Sequence, residues 1–327
     1  MPLSVRRPAV SPAAYRRITL AALCLLVFIV VTGAAVRLTG SGLGCTDWPS
    51  CTDESLVAPL ELHPMVEFVN RLITGLVSAI VIVAVLASRW RVPRRRDLEV
   101  LSWGLVAGVL AQIVLGGIVV LSHLNPWLVQ GHFIVSMLLV LDATVLDHRA
   151  GQPEGPRRPC VEPGVLRLGK ACVALAALAI VSGTVVTGAG PHSGENEGDF
   201  IERLPIAVHD AARIHGAFLI AFLAVTIVLL VRLRRDGVDG RVLHAAEALL
   251  TVLALQGAIG YTQYFTGVPP LLVGLHVLGA TLVWVASLRL LLVMSAPVEP
   301  TPGGPRESRD ARRDTGDQTG RDLVANG

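Results

Sequence analysis

Eight long apolar segments restrict what this chain can fold into more than any other feature. Each is close to the roughly 20 residues that an α-helix needs to cross the hydrocarbon core of a bilayer. Because a backbone in lipid must satisfy its hydrogen bonds internally, we expect each segment to be a transmembrane helix. The predicted spans lie near residues 17–38, 65–88, 98–121, 127–147, 168–189, 208–231, 242–263 and 270–294.

The composition supports the same fold class. Hydrophobic residues make up 52% of the chain, charged residues 16%, and the mean hydropathy is +0.61. Soluble domains are less hydrophobic, so we predict an all-α integral membrane protein with membrane lipid as its surroundings. The basic residues lie in loops and are not interleaved with aromatic residues, so no nucleic-acid partner is expected.

Lysine and arginine residues alternate from loop to loop. The N-terminal segment and the loops at 89–97, 148–170 and 232–241 are basic, whereas the intervening loops contain almost no Lys or Arg. Cytoplasmic loops carry the excess of positive charge, so both termini are predicted to be cytoplasmic. No small-residue cleavage site follows the first apolar run, and we therefore expect the first span to be retained.

The two halves of the chain resemble each other. VVTGAAVRLTG (30–40) matches IVSGTVVTGAG (180–190), and LAQIVLGGIVV (110–120) matches ALQGAIGYTQY (254–264). Four spans return the chain to the same side, so the repeat is parallel and predicts two tandem four-helix bundles. The predicted parts are a cytoplasmic N-terminal segment (1–16), an N-terminal bundle (17–147), a cytoplasmic linker (148–167), a C-terminal bundle (168–294) and a disordered cytoplasmic tail (295–327).

Histidines recur inside the apolar segments. His132 and His276 each follow by six residues the proline that opens their span, which places them about 9 Å into the helix from the outer side. His215 lies on another span that descends from the same face, and Asn70 takes the corresponding place in the first half. A polar ring at this depth needs a partner, a cavity or a ligand.

Facing histidines in a helical bundle are a common way to hold haem iron. The second half offers His215 and His276, and the first half offers His132 beside Asn70. The alternative is that each histidine hydrogen-bonds a neighbouring helix and binds no metal. Because the set is repeated at matched depth, we favour two haem pockets. Zinc is less favoured, since no nearby Cys or carboxylate completes a tetrahedral site.

The motif EFVNR places Glu67, Asn70 and Arg71 on one helical face. Glu67 could act beside a substrate as a proton acceptor or as a stabiliser of positive charge. It could instead be a solvated carboxylate paired with Arg71. Arg71 and Arg37 could bind haem propionates, or they could be ordinary arginines that extend to the membrane surface.

Two cysteines, Cys45 and Cys51, lie in the first predicted outer loop, where oxidation can occur. Their short separation, interrupted by Pro49, suits a small loop closed by a disulfide. The predicted cytoplasmic Cys160 should stay reduced.

Taken together, these motifs resemble the haem A synthases, the CtaA/Cox15 family, over the eight spans but not the tail. The motifs that carry the resemblance are TGAAVRLTGSGLGCTDWPSC, EFVNR, GHFIVSM, ARIHG and GLHVLGA, in that order. The resemblance implies a bacterial cell-membrane oxidoreductase that converts a ring methyl of haem O to a formyl group by successive hydroxylations. The haem A so formed would serve terminal oxidase assembly. It implies a haem O synthase (a farnesyltransferase) and oxidase assembly factors as partners, and leaves a homo-oligomer open.

The resemblance also implies roles for single residues. His215 and His276 would be the axial ligands of a haem b cofactor, and His132 would ligate or position the substrate haem. Glu67 would be the acidic residue needed for turnover, and Cys45 and Cys51 would form the family's loop disulfide. Much of the family has a histidine where this chain has Asn70, so we predict an open axial position opposite His132.

Two other functions stay open at this point. A haem transporter or chaperone would bind two haems without chemistry. A di-haem cytochrome b would carry electrons from quinol and would need two complete histidine pairs, whereas this chain offers one.

Overall fold

Helices long enough to cross a membrane form most of the structure, which is a computed structural model describing residues 9–194 and 201–298. Eight helices in these ranges are sufficiently long and apolar, so the predicted all-α multi-pass fold class is confirmed. Most extend slightly beyond the predicted apolar spans. The helices are α1 (Pro12–Leu38), α2 (Leu62–Trp90), α3 (Arg96–Leu121), α4 (Pro126–Ala150), α5 (Pro163–Ala189), α6 (Val208–Arg235), α7 (Gly240–Phe265) and α8 (Pro270–Val293).

Several helices begin at a polar residue whose side chain accepts a backbone N–H of the first helical turn. The Ser11 hydroxyl accepts the backbone N–H of Ala14 at 3.2 Å and so opens α1, with proline at the first helical position. The Asn125 side chain does the same for α4 at 3.0 Å. Such caps satisfy N–H groups that have no partner within the helix, and proline lacks one of those groups anyway.

The eight helices pack as two groups of four. In each half the first helix packs against the second, the second against the third, the third against the fourth, and the fourth against the first. Between the halves, α8 packs on α1 and α4, and α4 packs on α5. This arrangement agrees with the two bundles predicted from the sequence; descent from a tandem repeat stays a prediction.

Polar contacts join the two bundles inside their shared apolar core. The indole N–H of Trp284 donates to the carbonyl of Met137 at 3.0 Å, and both groups are buried. Nearer the helix ends, Arg289 donates to Asp147 at 3.2 Å. Because hydrocarbon offers no competing water, each such group needs a protein partner.

The two ends of the molecule differ in their loops. The loops α1–α2, α3–α4, α5–α6 and α7–α8 lie at one end, here called the long-loop face. The opposite end, the terminal face, contains the start of α1 and a small antiparallel sheet in which β1 (Arg157–Pro159) pairs with β2 (Ser295–Pro297). Which face is cytoplasmic stays a prediction.

The small sheet lies at the junction of two predicted parts. Strand β1 belongs to the predicted linker, and β2 is the start of the predicted tail, which is therefore tied to the linker at this point. Most of that tail, from residue 299 onward, and the first eight residues of the predicted N-terminal segment lie outside the described residues.

The hydrogen bond from Trp284 to Met137 should contribute measurably to the stability of the packed bundles. Trp284→Phe keeps an aromatic ring but removes the donor to Met137, and we expect a loss of about 1 kcal/mol. This corresponds to a decrease in Tm of about 2–4 °C, measured by thermal unfolding in detergent. Trp103→Phe, on the outward face of α3, is the control; an equal decrease there would contradict the prediction.

Candidate functional site

The structure brings two histidines of the second bundle together. His215 of α6 and His276 of α8 have ring centroids 6.4 Å apart, with the ring planes at 69° to each other. A metal bound to one nitrogen of each ring, with bonds of about 2 Å, separates the two centroids by about 6 Å. The observed spacing therefore fits two axial ligands of one haem iron.

A serine on the neighbouring helix orients His215. The Ser182 hydroxyl donates to the backbone carbonyl of Leu178 at 2.8 Å, and its oxygen lies 3.0 Å from Nδ1 of His215. When Nδ1 carries the ring proton, the hydroxyl oxygen accepts it. Nε2 of His215 then keeps its lone pair, which is the form that a metal requires.

Glycines give both rings room. A Cβ atom on Gly183 would lie 3.2 Å from Cε1 of His215, and one on Gly260 would lie 3.0 Å from Cε1 of His276. Each imidazole thus packs directly against the backbone of an adjacent helix. The side-chain amide of Gln256 donates to the backbone carbonyl of His276 at 2.8 Å and so fixes α7 against α8 at this level.

The first bundle contains the same supports around His132. Gln112 donates to the His132 carbonyl at 3.0 Å, and a Cβ on Gly116 would lie 3.4 Å from Cε1 of that ring. These contacts match those of Gln256 and Gly260 with His276. The paired segments of the sequence already aligned these residues, so the alignment contained the signal for this shared support.

Asn70 takes the place in the first bundle that His215 has in the second. The Thr32 hydroxyl lies 2.8 Å from Oδ1 of Asn70, as the Ser182 hydroxyl lies beside His215. A Cβ on Gly33, the counterpart of Gly183, would meet no atom within 4 Å. The first bundle therefore keeps the hydroxyl and the glycine that elsewhere support an imidazole, but has a shorter side chain there.

Unpaired polar atoms mark the same level in both bundles. Nδ1 of His132 and His276 and Oε1 of Gln112 and Gln256 are buried and find no hydrogen-bond partner among the described residues. Buried polar atoms without partners are uncommon, and their recurrence at matching positions shows that the two bundles share this arrangement. Residues 9–194 and 201–298 contain no cluster of three or more His, Cys, Asp or Glu side chains suited to a metal. Two imidazoles with a porphyrin supplying the remaining nitrogens fit this donor set.

Glu67 and Arg71 hold the long loop that follows α1. The Glu67 carboxylate is buried; Oε2 accepts the backbone N–H of Cys45 at 2.8 Å, and Oε1 accepts Nη2 of Arg71 at 2.6 Å. Arg71 also donates to the backbone carbonyls of Ser50 and Asp47, at 2.9 and 3.1 Å. The ion pair with Arg71 that formed part of the alternative for Glu67 is thus present and includes the loop, but the carboxylate is buried where that alternative had it solvated.

The loop is closed as predicted, since Cys45 and Cys51 form a disulfide. Both cysteines are fully buried in a small cluster with Ala58. Trp48, between them in sequence, packs directly on Gly117 near the end of α3. The loop therefore lies over the end of the first bundle and is fixed there by Arg71, Glu67 and Trp48.

Arg37 connects the bundles on the long-loop face. Its Nη2 donates to the backbone carbonyl of Thr187, at the end of α5, at 2.6 Å. This contact between residues 150 positions apart was not predicted, because nothing local in the sequence specifies it.

Comparison with known proteins gives one matching family profile and relatives that share one name. The sequence profile of COX15-CtaA, described as cytochrome oxidase assembly protein, matches residues 16–63 and 59–288. A protein named "Heme A synthase" from Halalkalibacterium halodurans is 23% identical over 290 residues, which is 83% of this chain and 93% of that protein. One of the same name from Listeria monocytogenes is 28% identical over 287 residues, covering 84% and 92%. One from Geobacillus thermodenitrificans is 34% identical over 115 residues, covering 34% and 35%.

Because Glu67 binds both Arg71 and the loop, we expect it to slow reduction of the Cys45–Cys51 disulfide. Glu67→Gln removes the charged partner of Arg71, so the loop should open more often. We expect Cys45–Cys51 to be reduced by a water-soluble phosphine about tenfold faster, equivalent to about 1.4 kcal/mol. Alkylation of the released thiols followed by mass spectrometry measures the rate. Glu61→Gln, at an exposed site just before α2, is the control, and equal rates in the two variants would refute the prediction.

Proposed function

The chain belongs to the COX15-CtaA family of cytochrome oxidase assembly proteins, and we propose that it acts as a haem A synthase. The relatives aligned over most of its length have that printed name. The single observation that carries the proposal is the His215–His276 pair, whose 6.4 Å ring separation fits a bound haem iron. The protein is then an enzyme of haem A biosynthesis in a membrane.

The reaction proposed is the oxidation of a ring methyl of haem O to a formyl group by successive hydroxylations. The cofactor would be a haem b in the second bundle, where it would supply one-electron transfer. His215 and His276 would hold it, and Ser182 would keep Nε2 of His215 unprotonated through the hydrogen bond at Nδ1.

The substrate would bind in the first bundle. His132 would contact the haem O iron from α4, packed on Gly116. Asn70, held by Thr32 at 2.8 Å, would leave the opposite axial position open, because a carboxamide is a weak ligand for haem iron compared with imidazole. A substrate must enter and leave, and a single protein ligand makes both steps easier than two.

Glu67 is the proposed acidic residue for turnover, and its place beside the loop sets a condition on that role. Both of its oxygens are engaged, by Arg71 and by the amide of Cys45. A proton accepted from the substrate side would neutralise the carboxylate and weaken its ion pair with Arg71, which would couple proton transfer to the attachment of the disulfide loop. The same condition applies to Arg71 as a propionate partner; Arg37 is the second proposed partner, at the junction with α5.

The surroundings of the enzyme are also proposals. We place it in the cell membrane of a bacterium with both termini cytoplasmic, which puts the disulfide loop on the oxidising outer side. A haem O synthase would supply the substrate, and oxidase assembly factors would accept the product. A homo-oligomer stays open.

The function is tested by co-expression with a haem O synthase in a host that makes no haem A, followed by chromatography of the extracted haems. We expect formyl haem with the unchanged chain. We expect none with His276→Ala, which should also lose the low-spin haem spectrum. His244→Ala, an exposed histidine at the start of α7, is the matched control and should behave as the unchanged chain. Two bound haems without any formyl product would instead support a haem carrier.

The open position at Asn70 gives a second prediction. In Asn70→His, Gly33 leaves space for the ring and Thr32 can take the part that Ser182 plays for His215. The haem of the first bundle should become low-spin and six-coordinate, and formyl haem production should decrease at least tenfold. Optical and electron paramagnetic resonance spectra measure the spin state. Asn70→Gln, which adds no imidazole, is the control; an unchanged spectrum in Asn70→His would contradict this geometry.

A further inference from the structure

A cavity opens on the terminal face between the two bundles, far from both histidine sites. Its volume is about 340 Å³, within the range of pockets that bind small molecules. Helices α4, α5 and α8 and the strands β1 and β2 all contribute to it, so both bundles and the linker meet there. The lining residues are Arg149, Arg157, Leu166, Lys170, Leu291, Leu292 and Ser295.

The charged part of this lining is entirely positive. Arg149, Arg157 and Lys170 provide three cations, and no carboxylate among the described residues lines the cavity. A nearby acid, Asp97, is already engaged with Arg95 at 2.7 Å and lies 3.9 Å from Arg149. Burial, and then the charges of Arg149 and Arg95, lower the pKa of Arg157. Arg149 and Arg157 thus repel each other, and an anion between them would remove that repulsion.

The rest of the lining is apolar and lies at the ends of helices. Leu166 and Lys170 are one turn apart on the first turns of α5 and therefore share a face. Leu291 and Leu292 belong to the last turn of α8. The cavity therefore combines cationic groups with aliphatic side chains at the depth where helices leave the hydrocarbon, which is the level of lipid headgroups.

We propose that this cavity binds one anionic phospholipid, with its phosphate between Arg149, Arg157 and Lys170 and the start of its acyl chains against the leucines. Arginine and lysine are the side chains that proteins use for phosphate, and basic pockets between transmembrane helices bind anionic headgroups. Because the lining comes from both bundles, a lipid bound there holds α4 to α5 and α8. The proposal does not depend on the haem chemistry.

The test uses the full chain in detergent and in nanodiscs, with palmitoyl-oleoyl phosphatidylglycerol as the anionic probe and the matching phosphatidylcholine as the neutral one. Native mass spectrometry should show one phosphatidylglycerol retained per chain, and no phosphatidylcholine. In the Arg157→Gln/Lys170→Gln double variant, the retained fraction should decrease at least tenfold. The double variant Arg232→Gln/Arg235→Gln, with the same change of charge at the exposed end of α6, should retain the lipid.

A single variant and a titration with inorganic phosphate separate the possible results. Lys170→Gln alone, at an exposed side chain, gives a measurement if the double variant does not fold, and should weaken retention at least threefold. Equal retention in the unchanged chain, the cavity variants and the α6 control would overturn the proposal. It is also wrong if millimolar inorganic phosphate raises Tm while phosphatidylglycerol is not retained, because the cavity would then take the free anion.

Discussion

Polar groups inside a bilayer cannot form hydrogen bonds with water, and this constraint determines which contacts form inside the protein. Hydrogen bonds to neighbouring helices hold the side chains of Trp284, Gln112 and Gln256 in place. The contact between Ser182 and His215 is the most consequential, because it fits the tautomer that carries its proton on Nδ1 and leaves Nε2 free for a metal. It adds this chemical fit to the 6.4 Å spacing of the two rings.

The two bundles share one arrangement of supporting residues around their ring positions. Each has a hydroxyl on its first helix, a glutamine on its third that binds the histidine carbonyl, and a glycine beneath the ring. At the ring positions themselves, the bundles differ in one side chain, histidine at 215 and asparagine at 70. In the proposed function, that single exchange separates a site that retains its haem from a site whose haem must come and go.

The loop after α1 links the chemistry to the surface. Its disulfide and Trp48 fix it over the first bundle, and Arg71 binds both Glu67 and two loop carbonyls. Glu67 is therefore part of the loop's attachment as well as the proposed acid. In the proposed function, movement of the loop would therefore change the surroundings of the substrate pocket, which an isolated carboxylate in a helix would not do.

Local patterns in the sequence were sufficient for the membrane class and for the positions of the eight helices in the described residues, and they indicated the disulfide between Cys45 and Cys51. These properties follow from hydropathy and from the few residues between the cysteines. The contact of Ser182 with His215, the binding of the Cys45 amide by Glu67 and the bond from Arg37 to Thr187 appeared only in three dimensions. They depend on the rotation and relative height of separate helices, which packing of the whole chain decides and no short stretch of sequence encodes.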